Sequence, residues 1–151
     1  MRPRKQRSIA VNFYRKARIS FLRIYYARGS AHEIALGAAI GAFWGVFPTF
    51  GLSTILSLLL YKVFRFNIIA AISAAFISNP VTSPFWLYTS YKMGKVFTGT
   101  EVKFNAEKWT EGLGELGLTM LIGSVIISTA TAVIVYYLFR HVILRRRNAE
   151  K

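Results

Sequence analysis

Apolar positions fall into one helix-periodic segment and three long runs. Near the start, Ala10, Tyr14, Ala17, Phe21, Ile24 and Tyr25 recur at helical spacing, while Asn12, Lys16, Ser20 and Arg23 take another face. This pattern predicts an amphipathic helix in the headgroup plane, aromatics down and cations toward anionic lipid. The plainer alternative is a solvated basic flank that packs on nothing. The three runs are Ile34–Tyr61, Phe66–Tyr91 and Leu118–Phe139. The last is unbroken and, as a helix, spans roughly 33 Å, which fits one crossing of a bilayer core.

The first run would reach roughly 42 Å, too long for one upright span. It is interrupted by Gly45-Val-Phe-Pro48-Thr-Phe-Gly51. Proline breaks the helical hydrogen-bond ladder and the flanking glycines ease a reversal. Residues 34–61 therefore read as a broken or re-entrant helical hairpin whose tip must be buried in protein or wet. The second run is broken in the same way by Ser78-Asn79-Pro80-Val-Thr82-Ser83-Pro84.

Composition turns these runs into a fold class. The 151 residues are 54% hydrophobic, with a net charge of +14 and a mean hydropathy of +0.38. Between Glu33 and Tyr91 the only charges are Lys62 and Arg65. A disordered basic chain would be apolar-poor, and a soluble nucleic-acid-binding domain would scatter its charge. The reading is an all-α integral membrane protein: one proline-broken or re-entrant hairpin, two further transmembrane spans and an amphipathic N-terminal interfacial helix. Residues 1–32 form the basic amphipathic segment, 33–147 the membrane domain, and 140–151 a basic cytoplasmic tail.

Charge then sets topology. Residues 1–31 hold nine Lys or Arg and no acid, and no apolar segment follows Met1-Arg2-Pro3-Arg4-Lys5 as a cleaved secretory signal would require. The end of the chain is basic too, so both termini belong in the cytoplasm of a bacterial inner-membrane protein. An even number of crossings follows. The first run enters and returns, 66–91 cross outward, 92–117 form an extracytoplasmic loop, and 118–139 cross back. Parity alone does not say which run doubles back. In the loop, Asn105 is a candidate cap for a short helix running through Trp109 to Glu115, with a plain connector as the equal alternative.

Chemistry is sparse. The chain has no cysteine and no aspartate, and its six Glu lie outside the apolar runs, so no catalytic residue, metal site or cofactor is expected and the chain reads as no enzyme. The candidate binding residues are Pro48, Gly51, Asn79, Pro80, Thr82, Ser83 and Tyr88 at the breaks, with Lys62, Arg65 and Asn67 between them. Paired broken helices around an anionic ligand or headgroup are a transporter device, although the same side chains would also serve to satisfy carbonyls freed by Pro80 and Pro84. Lys62 and Arg65 fit a lipid phosphate, or act as topology anchors. Asn67 fits a helix cap. The Pro48 and Pro80 breaks are expected to meet, with Asn79 and Thr82 facing the meeting point. Gly37, Gly41 and Gly45 form a small-residue ridge for close packing, inside the monomer or between copies; Pro84 and Gly94 complete the structural set.

The segments Gly37–Gly51, Arg65–Asn67, Ile77–Pro84 and Tyr91–Gly94, in this order, resemble a bacterial membrane family catalogued as a domain of unknown function, the 2062 family. The resemblance covers roughly residues 33–147. It implies a small multi-pass inner-membrane protein. Because that domain is sometimes fused to a family-two glycosyltransferase, it also implies a link to cell-envelope glycan pathways. No activity or ligand comes with it. Two functions follow as expectations: a transporter or lipid-handling protein, or a non-catalytic anchor or scaffold for an envelope enzyme. The expected partners are anionic membrane lipids, a second copy or that enzyme, and no nucleic acid.

Overall fold

The computed structural model describes residues 9–49, 52–99 and 109–149. Within them the chain is all-helical, with α1 (Ile9–Tyr25), α2 (Ala31–Val46), α3 (Ser53–Tyr61), α4 (Ile68–Ala74), a 3-10 turn (Ala75–Ile77), α5 (Ser83–Thr98) and α6 (Trp109–Ala149). Local chemistry sets these boundaries. Ser30 opens α2 with a reciprocal capping box: its hydroxyl accepts from the Glu33 N–H at 3.1 Å, and the Glu33 carboxylate accepts from the Ser30 N–H at 2.7 Å. At the other end Phe47 turns extended, with ψ 137°, as the residue before a proline must. Gly99 closes α5 in the left-handed region at φ 64°.

α3 folds back along α2, so that Leu60 stands near Leu36 and Ile40. α4 then runs parallel to α2. Gly37, Gly41 and Gly45 face the carbonyls of Asn67, Ala71 and Ala75 in turn, four residues per step on both helices. A Cβ at Gly37 or Gly41 would collide with that backbone, and one at Gly45 would stand 2.8 Å from the Ala75 oxygen. The glycine ridge is thus consumed inside the monomer. A second close crossing joins α5 to α6 antiparallel, where Gly94 meets the Thr119 backbone and Gly123 meets Ser90.

α6 has 41 residues, about 60 Å of helix. Its later part packs on α2, where Phe139 and Ile143 join Ile34 and Ala35 in the core. The sequence reading placed a loop at 92–117 and a basic tail from 140. Instead α5 continues to Thr98 and α6 begins at Trp109 and ends at Ala149. No proline interrupts either stretch, so the helical ladder continues past the apolar runs. Asn105 lies outside the described residues.

α1 also departs from expectation. It is amphipathic, but its inner face packs along α4 and α6: Phe13 lies 6.5 Å from Phe76, Phe21 5.6 Å from Phe139, and Ile24 is buried. Ala17, Phe21 and Ile24 of the predicted apolar face do point inward, but Phe13 and Ser20 join them and Tyr14 turns out, 71% exposed, because Phe76 stands opposite Phe13.

Packing is inverted relative to a water-soluble domain. The interior is small: Ala35, Ala38, Ala70 and Ala71 are fully buried, as are Ser57, Ser124 and Ser128. Ile34 and Ile143 are the large apolar side chains fully enclosed among the described residues. Leu59, Val63 and Phe64 after and along α3, Ile69 and Ile72 on α4, and Ile134 and Leu138 on α6 are exposed. In water-soluble domains residues of this kind are among those most often buried.

Candidate functional site

Two polar clusters lie at opposite ends of the α2–α4 contact. At the first, the Gly45–Thr49 and Ser78–Ser83 segments line one cavity of about 380 Å³, so the Pro48 and Pro80 breaks meet. Asn79 and Ser83 are on its wall, whereas Thr82 lines a different cavity. The polar side chains here serve the turn itself. Asn79 Oδ1 accepts from the Val81 N–H at 3.0 Å, and its Nδ2 donates to the Phe76 carbonyl at 3.3 Å. The Thr82 hydroxyl donates to the Ile77 carbonyl at 2.8 Å and accepts from the Asn79 N–H at 3.1 Å. Ser83 donates to the Asn79 carbonyl at 2.8 Å, and the Trp86 indole donates to Ile77 at 3.2 Å. Across the cavity Thr49 donates to the Trp44 carbonyl at 3.2 Å. Pro84 sits in the first turn of α5, where its missing N–H costs nothing. Gly51 lies outside the described residues.

The second cluster is basic. Lys62, Arg65 and Asn67 line a cleft of about 520 Å³ with Arg28, Glu33 and Tyr61. Asn67 is the hub that builds it. Its side-chain oxygen caps α4 by accepting from the Ala70 N–H at 2.8 Å, its Nδ2 donates to the Arg28 carbonyl at 2.6 Å, and its N–H donates to the Glu33 carbonyl at 2.9 Å. The cleft thus gathers residues from the α1–α2 link, the head of α2 and the α3–α4 turn. Glu33, before the apolar run, has its carboxyl held below the usual carboxylate range. The Ser30 N–H is the largest cause, then the Ser30 hydroxyl, and Arg65 and His32 add to it against partial desolvation. One fixed carboxylate therefore faces three exposed cations, leaving the cleft net positive. The end of α6 joins the same side: Arg146 donates to the Tyr25 carbonyl at 2.7 Å and Arg147 to that of Gly29.

The residues singled out from the sequence thus divide. Pro48, Asn79, Pro80 and Ser83 share one cavity, and Lys62, Arg65 and Asn67 another. Tyr88 belongs to neither; it is exposed, with the Lys92 ammonium 5.2 Å from its ring. A single site combining the breaks with the cations is not formed. Sequence reasoning missed Arg28 and Glu33 in the cleft. Ser30-x-x-Glu33 is a capping-box signature that would have fixed the head of α2, but nothing local announces that Asn67 reaches back to Arg28.

These features define a class: an all-helical protein with small residues inside, large apolar residues outside, and α6 long and apolar enough over Leu116–Ala149 to cross a membrane. Residues 14–151 match the family described as an uncharacterized protein conserved in bacteria (DUF2062), and the chain belongs to that family. No curated protein and no solved structure is similar to it.

Proposed function

We propose that the chain is a multi-pass protein of the bacterial inner membrane that binds an anionic lipid headgroup in the cleft around Arg28, Lys62 and Arg65. The observation that carries this reading is the inverted packing, because large side chains turn outward where lipid is the solvent and small ones allow helices to approach. The most apolar window of α6 is 22% buried, unlike a core helix of a soluble domain. α2 and α3 make the re-entrant hairpin, α4 and α5 the broken outward crossing, and α6 the return. The cations of α1 reach headgroups by snorkelling from its outward face. Contact between the end of α6 and the end of α1 supports placing both on one side, and the excess of Lys and Arg supports the cytoplasm.

The cleft is preferred over the breaks as the ligand site because three cations line it with a single carboxylate, whereas Asn79, Thr82 and Ser83 at the breaks are already paired within their turn. A transport path through the breaks is therefore the weaker form of this reading. A non-catalytic anchor for an envelope enzyme is the alternative, favoured by the exposed Val96 and Phe97 at the far end of α5. No catalytic residue and no cofactor enters either reading.

Single-cysteine labelling in intact cells tests the topology. A membrane-impermeant reagent should reach position 104 and should miss positions 5 and 62 until the membrane is opened. Labelling of position 5 from outside would overturn it.

A further inference from the structure

The cleft around Arg28, Lys62 and Arg65 has committed its neutral polar groups to its own construction. Both ends of the Asn67 amide are taken, the oxygen by the Ala70 N–H and the nitrogen by the Arg28 carbonyl. The Ser30 hydroxyl is bonded to the Glu33 N–H, and the Glu33 carboxylate to the Ser30 N–H. The walls still offer Arg28, Lys62 and Arg65, all exposed, whose guanidinium and ammonium groups donate hydrogen bonds and cannot accept them. Tyr61, half exposed with its ring edge-on to Phe66 at 5.6 Å, adds a hydroxyl.

A site of donors is complementary to a ligand of acceptors. The hydroxyls of a glycerol or inositol headgroup bring donors of their own, and an amine headgroup brings a further cation. A terminal phosphate brings neither. It presents three acceptor oxygens and, once its second proton has left at about pH 6, about two negative charges; a phosphodiester keeps one. The charge balance of the cleft points the same way, because three cations less the Glu33 carboxylate leave two positive charges. The bond from the Ser30 N–H keeps that carboxylate ionised at neutral pH. On its other side the cleft is closed by Phe66, Ile68 and Ile69. Ile69 is exposed, as are Val63 and Phe64 in the turn between Lys62 and Arg65, so a chain attached to the phosphate leaves over apolar surface.

We propose that the cleft takes the phosphate monoester of a membrane lipid, bound as its dianion, in preference to the phosphodiester headgroups of the surrounding bilayer. This ligand class rests on the headgroup site proposed above and narrows it.

The test titrates the full chain in detergent at about pH 8, above the second phosphate pKa, and counts bound lipid by native mass spectrometry. The probes are phosphatidic acid, phosphatidylmethanol and phosphatidylcholine with the same acyl chains. Phosphatidylmethanol differs from phosphatidic acid by one methyl ester, which removes one charge and one terminal oxygen. Phosphatidic acid should half-saturate the protein at a concentration about fivefold lower than phosphatidylmethanol, as expected for one further charge paired near the surface, and both should precede phosphatidylcholine. Lys62→Ala should bring the two anionic lipids within about twofold of each other, while Lys62→Arg keeps the gap. A gap that survives Lys62→Ala puts the dianion elsewhere and overturns the site. Glycerol 3-phosphate, the same phosphate without acyl chains, should compete far more weakly; competition at the concentration of phosphatidic acid would make the ligand a soluble phosphomonoester and overturn the lipid. Equal binding of phosphatidic acid and phosphatidylmethanol, both ahead of phosphatidylcholine, overturns the monoester and leaves the cationic headgroup site standing. Three lipids that bind alike overturn that site itself. Both of these outcomes are read on the unaltered chain, so neither depends on the folding of a variant.

Discussion

At the Asn79 end of the α2–α4 contact, the side chains of Asn79, Thr82 and Ser83 are paired within their own turn; at the Arg65 end, three cations share one carboxylate. Both ends are polar, and both were candidates from the sequence. What separates them is residual bonding capacity. A saturated cluster holds a shape, since buried polar groups in an apolar setting are costly unless paired. An unsaturated, net-positive cleft holds its capacity for something else. Polarity near a helix break is therefore a poor guide to ligand binding until its hydrogen bonds have been assigned.

The largest effect should come from the contact that fixes the distance between the two ends. Gly41→Ala drives a Cβ into the Ala71 backbone, and overpacking of this kind costs typically about 1–3 kcal/mol, more where backbone must move. The expected outcome is a protein that melts lower in detergent and loses both the break cavity and the cleft. Unchanged melting would mean that α2 and α4 are not in this register.

Next is the comparison itself. Asn79→Ala removes one donor and one doubly used acceptor, and should cost about 1–3 kcal/mol of stability while lipid retained per folded molecule stays constant in native mass spectrometry. Lys62→Ala with Arg65→Ala should do the opposite. Stability should change by no more than about 0.5 kcal/mol, but the preference for phosphatidylglycerol over phosphatidylcholine should fall by about thirtyfold, at about 1 kcal/mol for each cation near the surface. Equal losses in both variants would erase the distinction between a structural and a binding cluster.

The smallest effect concerns pH. The Glu33 carboxyl is depressed in the folded protein, so its stabilisation is present above the ordinary carboxylate range. It is lost as pH falls through that range toward the folded value. Thermal melting followed downward in pH should show this acid limb, and Glu33→Gln, which keeps the capping geometry, should flatten it. An identical limb in the variant would assign it to another group.

Much of this fold was legible from the sequence because its determinants are local. Pro48 and Pro80 announce the breaks, Asn67 caps its helix, and Gly37-x-x-x-Gly41-x-x-x-Gly45 gives the packing face. The α2–α4 pairing supplied what local pattern could not, namely which breaks meet and which cations gather. The helix ends beyond Tyr91 and before Leu118 were missed for a different reason. Hydropathy reports where a helix is greasy, and α5 and α6 simply outrun their apolar stretches. Phe13 and Ser20 were left off the packed face of α1 because Phe76, the partner of Phe13, is distant in sequence and invisible to periodicity. Glu33 and Arg28 were overlooked for the same reason, since the cleft is assembled by a hydrogen bond spanning 39 residues.

The hydrogen bonds from Arg146 to Tyr25 and from Arg147 to Gly29 span 121 and 118 residues, and this separation has a consequence in time. During synthesis the segment around Tyr25 and Gly29 is made long before the arginines that fasten it. It must wait, unfastened, while every helix between is threaded into place. Contacts of such long separation form late, so the clasp closes only after α6 has been made and has packed against α2. A chain whose last helix docks elsewhere has no means of closing it. The hold on the end of α1 is thereby conditional on the arrival of the last helix.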